Sequence, residues 1–265
     1  MSQATSSDVV LYEKRDRIAL ITLNRPERLN AWTGEMGHWY WTHLDAAKND
    51  PDVRAIVVTG AGRGFCAGAD MDMLQGIGAG RRDDAPVRNE HQTYTLSVPK
   101  LVVAAVNGAC AGLGMVQATM ADVRFAASSA KFTSAFSRRG LIAEHGLGWV
   151  LPKLVGPSRA LDLLLSARVI LAEEAREMGL VNQVTAPDAL LDTVFEYVND
   201  IVDNVSPTSI AVMKRQVWEG VQTDLATSNA LADKAMAASL KAPDFKEGVA
   251  SFLEKRKPQF APISE

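Results

Sequence analysis

The chain has 265 residues, 47% of them hydrophobic and 22% charged, the composition of a globular protein long enough to bury a sizeable core. Lys and Arg number 28 against 31 Asp and Glu, a net charge of −3, so there is no basic surplus of the kind that binds nucleic acid. Two cysteines, Cys66 and Cys110, exclude a disulfide scaffold, no Cys/His spacing suits zinc, and no apolar run is long enough to span a membrane. The opening MSQATSSDVV has neither a basic start nor an apolar core, so the expectation is a cytoplasmic protein without a secretory leader.

Residues 9–12 and Ile18–Leu23 read as a β-hairpin, closed by the charged turn 13–17. Thr33 has the position of an N-cap for a helix carrying Met36, Tyr40, Leu44 and Ala47 at helical spacing. The continuous apolar runs 53–59 (VRAIVVT) and Leu101–Val106 (LVVAAV) mark strands buried on both faces. Between them, residues 76–90 are rich in glycine and charge and suit a mobile loop. A small-residue helix over 112–121 and a strand over 123–126 follow. Beyond Pro152 the pattern is helical, over 158–165, 172–178, 189–204, Pro207–Gly220, 227–241 and 245–255. The order predicts an α/β fold with a core over 1–190 and a helical region over 191–265.

Two glycine-bearing strand exits draw attention, Gly64-Phe65-Cys66-Ala67-Gly68-Ala69-Asp70 and Asn107-Gly108-Ala109-Cys110-Ala111-Gly112-Leu113-Gly114. Small residues let a ligand approach the main chain, and a helix N-terminus presents unpaired N–H groups. Leaving neighbouring strands, two such loops place two donors on one anionic oxygen, an oxyanion hole. Taken singly, each is equally a tight strand-to-helix turn, and neither matches a phosphate or dinucleotide pattern.

Together and in this order they resemble the crotonase (enoyl-CoA hydratase/isomerase) superfamily. The resemblance includes Asn24-Arg25-Pro26-Glu27-Arg28-Leu29-Asn30-Ala31, Val58-Thr59-Gly60 and Val103-Ala104-Ala105-Val106-Asn107-Gly108. It continues through Ala130-Lys131-Phe132, Leu151-Pro152-Lys153-Leu154-Val155-Gly156, Ala175-Arg176-Glu177-Met178-Gly179-Leu180-Val181 and Phe252-Leu253-Glu254-Lys255-Arg256. It implies a crotonase-like spiral of ββα units with a helical C-terminal extension, and an acyl-CoA substrate whose thioester oxygen is held by the N–H groups of Ala69 and Leu113. The second of these positions is usually glycine; with leucine the donor survives, but the side chain must point away from the thioester or narrow the acyl pocket. Coenzyme A enters as part of the substrate, with no separate cofactor or metal, and the assembly implied is a homotrimer or hexamer.

Hydratases of the family use two glutamates, whose positions match Val116 and Phe136, so both carboxylates are missing. Glu144 matches the single acid of Δ3,Δ2-enoyl-CoA isomerases, and an apolar surround of Phe136, Leu141 and Trp149 would suit it to shuttling a proton. Alternatively Glu144 caps the next helix or pairs with Arg138 or Arg139. Arg28, Ala67, Asp70, Phe136, Phe252 and Lys255 are the expected substrate and CoA contacts, although Asp70 is better suited to capping the helix or loop than to chemistry. His91 and His145 read as solvated or structural, Asp122 as structural, Arg256 and Lys257 as a solvated face, and the cysteines as unreactive. Three functions remain open: an isomerase using Glu144, a hydratase with a displaced acid, and a non-catalytic acyl-CoA binder. Hydrolase, decarboxylase and dehalogenase chemistry reuse the same enolate hole.

Overall fold

Runs of β-branched and small apolar residues, broken at glycine, dictate short buried strands that must leave their sheet wherever a glycine lets the chain turn. The computed structural model describes residues 8–80 and 90–263. In it β1 (Val10–Arg15) and β2 (Ile18–Leu23) form the expected antiparallel hairpin. The Thr33 hydroxyl accepts the Met36 N–H at 3.1 Å and caps α1 (Gly34–Asn49), whose Met36, Tyr40, Leu44 and Ala47 enter the core. β3 (Ala55–Gly60), β5 (Leu101–Val106), β7 (Val123–Ala127) and β10 (Gln183–Thr185) extend the hairpin in the order β1-β2-β3-β5-β7-β10, every pairing after the hairpin being parallel.

A second sheet, ordered β4-β6-β8-β9, consists of β4 (Gly64–Cys66), β6 (Ala109–Ala111), β8 (Lys131–Thr133) and β9 (Ile170–Leu171). The pairs β3/β4, β5/β6 and β7/β8 each contribute one strand to each sheet, and helices α2 (Met71–Gly78), α3 (Leu113–Met120) and α4 (Leu147–Val155) follow them in turn. This is the spiral of ββα units. Its two- and three-residue second strands lie where the sequence reads as loop, because such runs are too short to show periodicity. The loop expected at 76–90 falls mainly on residues 81–89, outside those described, and its first residues continue α2. Pro152 lies inside α4 rather than before the helices, so the Gly148 carbonyl four residues back lacks its intrahelical donor.

Helices α5 (Pro157–Ser166), α6 (Ala172–Glu177), α7 (Leu190–Asn204), α8 (Pro207–Gly220), α9 (Leu225–Ser239) and α10 (Pro243–Glu254) complete the chain. α7 lays Leu190, Val194, Val198 and Val202 on the sheet face made by Leu20, Val57 and Val103. Asp122 accepts both the Val102 N–H and the Lys214 ammonium at 2.8 Å, which anchors α8 to the sheet and makes Asp122 structural, as expected. At the N-terminal ends of β2 and β3, Arg17 pairs with Asp203, Lys257 reaches Asp203 at 2.9 Å, and Arg54 donates to the Phe260 carbonyl. α10 and the residues after it therefore lie at the opposite end of the parallel strands from their glycine exits. Among the described residues no helix is long and apolar enough to cross a membrane.

α3 leans on β4 through Gly114, where an added Cβ would stand 2.0 Å from the Cys66 carbonyl oxygen. Gly114→Ala is expected to destabilise the fold by about 1–3 kcal/mol, as overpacking of a close contact does. The measurement is the denaturant midpoint at unchanged slope; an unshifted midpoint contradicts the contact.

Candidate active site

The first glycine loop is held from beneath by residues 25–32. Ala67 N–H donates to the Leu29 carbonyl at 3.0 Å, Trp32 N–H to the Gly68 carbonyl at 2.7 Å, and Asp70 N–H to the Trp32 carbonyl at 2.9 Å. The last two bonds make a parallel bridge between Trp32 and Ala69. In such a bridge the residue flanked by the bonds turns its own N–H away from the partner strand, and among the described residues the Ala69 N–H has no partner. Asn30, wholly buried, fixes the supporting loop by accepting the Arg25 N–H at 2.8 Å and donating to the carbonyls of Ala61 at 2.9 Å and Gly64 at 2.7 Å.

The second loop leaves β6, which pairs in parallel with β4 through Gly64–Ala109 and Cys66–Cys110. Gly112 has φ 50° and ψ −116°, a backbone conformation closed to side chains, and starts α3, leaving the Leu113 N–H at the first helical position without an intrahelical partner. The loops touch: a Cβ on Gly68 (φ 101°) would lie 3.1 Å from the Ala111 carbonyl oxygen, and one on Gly112 would lie 3.6 Å from the Gly68 Cα. The Leu113 side chain is buried in the core cluster. Two unpartnered main-chain donors on touching loops can take one anionic oxygen between them.

The residues around this pair divide sharply. Val116 and Phe136 are buried hydrocarbon in the core, and the Phe136 ring lies 4.0 Å from where a Gly112 Cβ would stand. The chain then doubles back, Leu141 N–H donating to the Phe136 carbonyl at 3.0 Å, and Glu144 follows just before α4. Its carboxylate meets His145 Nε2 at 3.4 Å. Neither arginine pairs with it: Arg138 donates to the Ser166 carbonyl and Arg139 to that of Ala135. The apolar enclosure expected around Glu144 is not formed among the described residues. Its side chain is 42% exposed, Leu141 faces solvent, and Trp149 turns toward Trp218, ring centroids 5.8 Å apart, with the Lys153 ammonium over its other face.

Two of the expected substrate contacts also have partners inside the chain. The Ala67 N–H is taken by Leu29, as above, and the buried Asp70 carboxylate accepts Arg25 Nη1 at 3.0 Å and the Asp72 N–H at 3.0 Å, capping α2. Burial pushes the Asp70 carboxyl up, but these bonds and the Arg25 charge prevail and hold it below the usual carboxylate range. Arg28 stays exposed beside this loop, 3.3 Å from Asp72. Phe252, 83% exposed, and Lys255, exposed at the C-cap of α10, lie at the far end of the sheet and do not share the loop site within one chain. Arg256 is paired with Glu247 and Glu254. His91 is exposed just ahead of the 3-10 helix Gln92–Ser97 rather than on a helix. Burial pushes the Cys66 thiol up to about 12, and burial with Cys66 beside it raises the Cys110 thiol as well, so both are inert packing. Arg25 and Asn30 were not singled out from sequence; the signal available was a buried-type Asn placed to follow a turn opened by Asn-Arg-Pro.

A family model described as enoyl-CoA hydratase/isomerase matches residues 13–262. The chain is 35% identical over 259 residues to the 1,2-epoxyphenylacetyl-CoA isomerase of Escherichia coli, covering 96% of this chain and 98% of that protein. It is 34% identical over 253 residues to the crotonyl-CoA hydratase of Syntrophomonas wolfei, with 95% and 97% covered. The crystal structure of an enoyl-CoA hydratase from Mycobacterium tuberculosis superposes with a TM-score of 0.89 at 30% identity, over 97% of this chain and all of that one. With its two mixed sheets, touching glycine loops and C-terminal helices, the chain belongs to the enoyl-CoA hydratase/isomerase (crotonase) family.

Proposed function

We propose that the chain isomerises the double bond of an enoyl-CoA thioester from Δ3 to Δ2, with Glu144 carrying the proton. The observation behind this reading is that buried hydrocarbon, Val116 and Phe136, fills the two positions at which similar hydratases hold carboxylates, while Glu144 stands on the loop that leaves Phe136. The Ala69 and Leu113 N–H groups hold the thioester oxygen. Glu144 takes a proton from the α-carbon, the electron pair spreads over the dienolate, and the same acid returns the proton at the γ-carbon. One carboxylate suffices because taking the α-proton leaves it as the acid that protonates the γ-carbon, and at 42% exposure it can exchange that proton with water in between. His145, 3.4 Å from Glu144, supports a second reading, a hydratase whose displaced acid is the Glu144–His145 pair activating water.

Glu144→Gln keeps volume and hydrogen bonding while removing the titrating group, so turnover of 3-enoyl-CoA is expected to fall by about 10²–10⁴-fold with acyl-CoA binding retained. Solvent deuterium is expected in the wild-type product and not with the variant. Variant turnover and exchange at the wild-type rate contradict the mechanism. Addition of water to 2-enoyl-CoA by the wild type, read by mass, favours the hydratase, and inertness toward both substrates favours a non-catalytic acyl-CoA binder.

Arg28 stands at the same end of the chain as the loops and supplies charge to the CoA phosphates. Phe252 and Lys255 serve a thioester site only from a second copy, in the trimer or hexamer expected for the family. Arg28→Ala and Lys255→Ala are each expected to weaken CoA binding and flatten its salt dependence, measured by titration calorimetry at several ionic strengths. An unchanged affinity removes the residue from the site.

A further inference from the structure

The bonds around Arg25 converge on the first donor of the oxyanion pair. Arg25 Nη1 donates to the Ala31 carbonyl at 2.6 Å and to Asp70 at 3.0 Å, while its own N–H is held by Asn30. Asp70 is the residue directly after Ala69, and its N–H and carboxylate are both fixed, the first by Trp32 and the second by Arg25. On the other side of Ala69, the Gly68 carbonyl, which shares one peptide plane with the Ala69 N–H, is held by the Trp32 N–H at 2.7 Å, and the Trp32 N–H in turn shares a plane with the Ala31 carbonyl that Arg25 holds. The tilt of the Ala69 N–H therefore depends on how firmly Asp70 and the Ala31–Trp32 peptide are held, and Arg25 holds both. A half-buried guanidinium that bridges Asp70 to the Ala31 carbonyl is the one charged group doing so among the described residues. Asp70 also caps α2, so the same carboxylate locks the loop's exit.

We infer that Arg25 is a positioning residue, setting the direction of the Ala69 N–H through Asp70 and so tuning the site for the enolate rather than for the ground-state thioester. This rests on reading Ala69 as an oxyanion donor. Donors act in proportion to their alignment on the developing charge, and a displacement of about 1 Å costs on the order of 10²-fold in rate. Loosening Asp70 misaligns the donor where charge develops and leaves the rest of the acyl-CoA site in place.

The test compares two ligands on wild type, Arg25→Met, Arg25→Lys and Asp70→Asn: a saturated acyl-CoA, which has no enolate, and a 3-ketoacyl-CoA, whose enolate has its own ultraviolet band. Thermal unfolding confirms which variants are folded, and Asp70→Asn serves if Arg25→Met is not. Wild type is expected to lower the pH at which the bound 3-ketoacyl-CoA enolises. Arg25→Met and Asp70→Asn are expected to lose about 10–100-fold in enolate affinity and in α-proton exchange, with unchanged affinity for the saturated ligand. Arg25→Lys is expected to restore part of the loss. Equal losses for both ligands, or no loss for either, overturn the positioning role. A wild type that fails to favour the enolate overturns the oxyanion reading itself, and that result is seen before any variant is made.

Discussion

The close approach of two loops with no side chains between them is the constraint on which the site depends. β4 and β6 are hydrogen-bonded neighbours, so the segments leaving them begin about 4.8 Å apart. They stay in contact only because positions 68 and 112 are glycine, each in a backbone region that L side chains rarely enter. A side chain at either would part the loops and, with them, the N–H groups of Ala69 and Leu113. Beneath, Cys66 and Cys110 face each other in register and fill the space, their thiols too strongly buried to react. Gly114 lets α3 approach β4 closely enough to bring its N-terminus to the same place.

Within the chain, polarity at the site is sorted by what the backbone can satisfy. Asp70, Arg25 and Asn30 are tied into the support beneath the first loop. The positions that face the second loop hold hydrocarbon, leaving Glu144 and His145 as the titratable groups on the loop that follows. On the proposed reading, such a site binds charge through main-chain N–H groups and moves protons through one carboxylate. That division is consistent with a family whose members share an enolate-stabilising hole and differ in their acids.

Much of the fold was legible because its long strands and helices carry strong patterns. The runs ending in Thr59 and Val106 are too apolar for a half-exposed strand, and Met36, Tyr40, Leu44 and Ala47 recur at helical spacing behind a threonine cap. The second sheet was not legible, since three residues such as Gly64–Cys66 show no period and their glycines read as turns. At the site, the two glycine loops were visible in their order, and their contact is what the parallel pairing of β4 and β6 supplies. The bond that fixes Asp70 was not legible, because its partner, Arg25, is 45 residues away and only the fold brings them together. Phe252 and Lys255 were grouped with Arg28 by resemblance, whereas the bonds of Arg54 and Lys257 draw the C-terminal segment to the opposite end of the sheet.

The central claim is that the Ala69 and Leu113 N–H groups share one oxyanion with Glu144 beside the carbon that loses its proton. A crystal structure with a bound 3-ketoacyl-CoA enolate measures this directly. The account predicts the thioester oxygen about 2.7–3.1 Å from both nitrogens, with the Glu144 carboxylate facing the α- and γ-carbons. An oxygen that meets only one of the two N–H groups, or a Glu144 that stays turned to solvent, would contradict it.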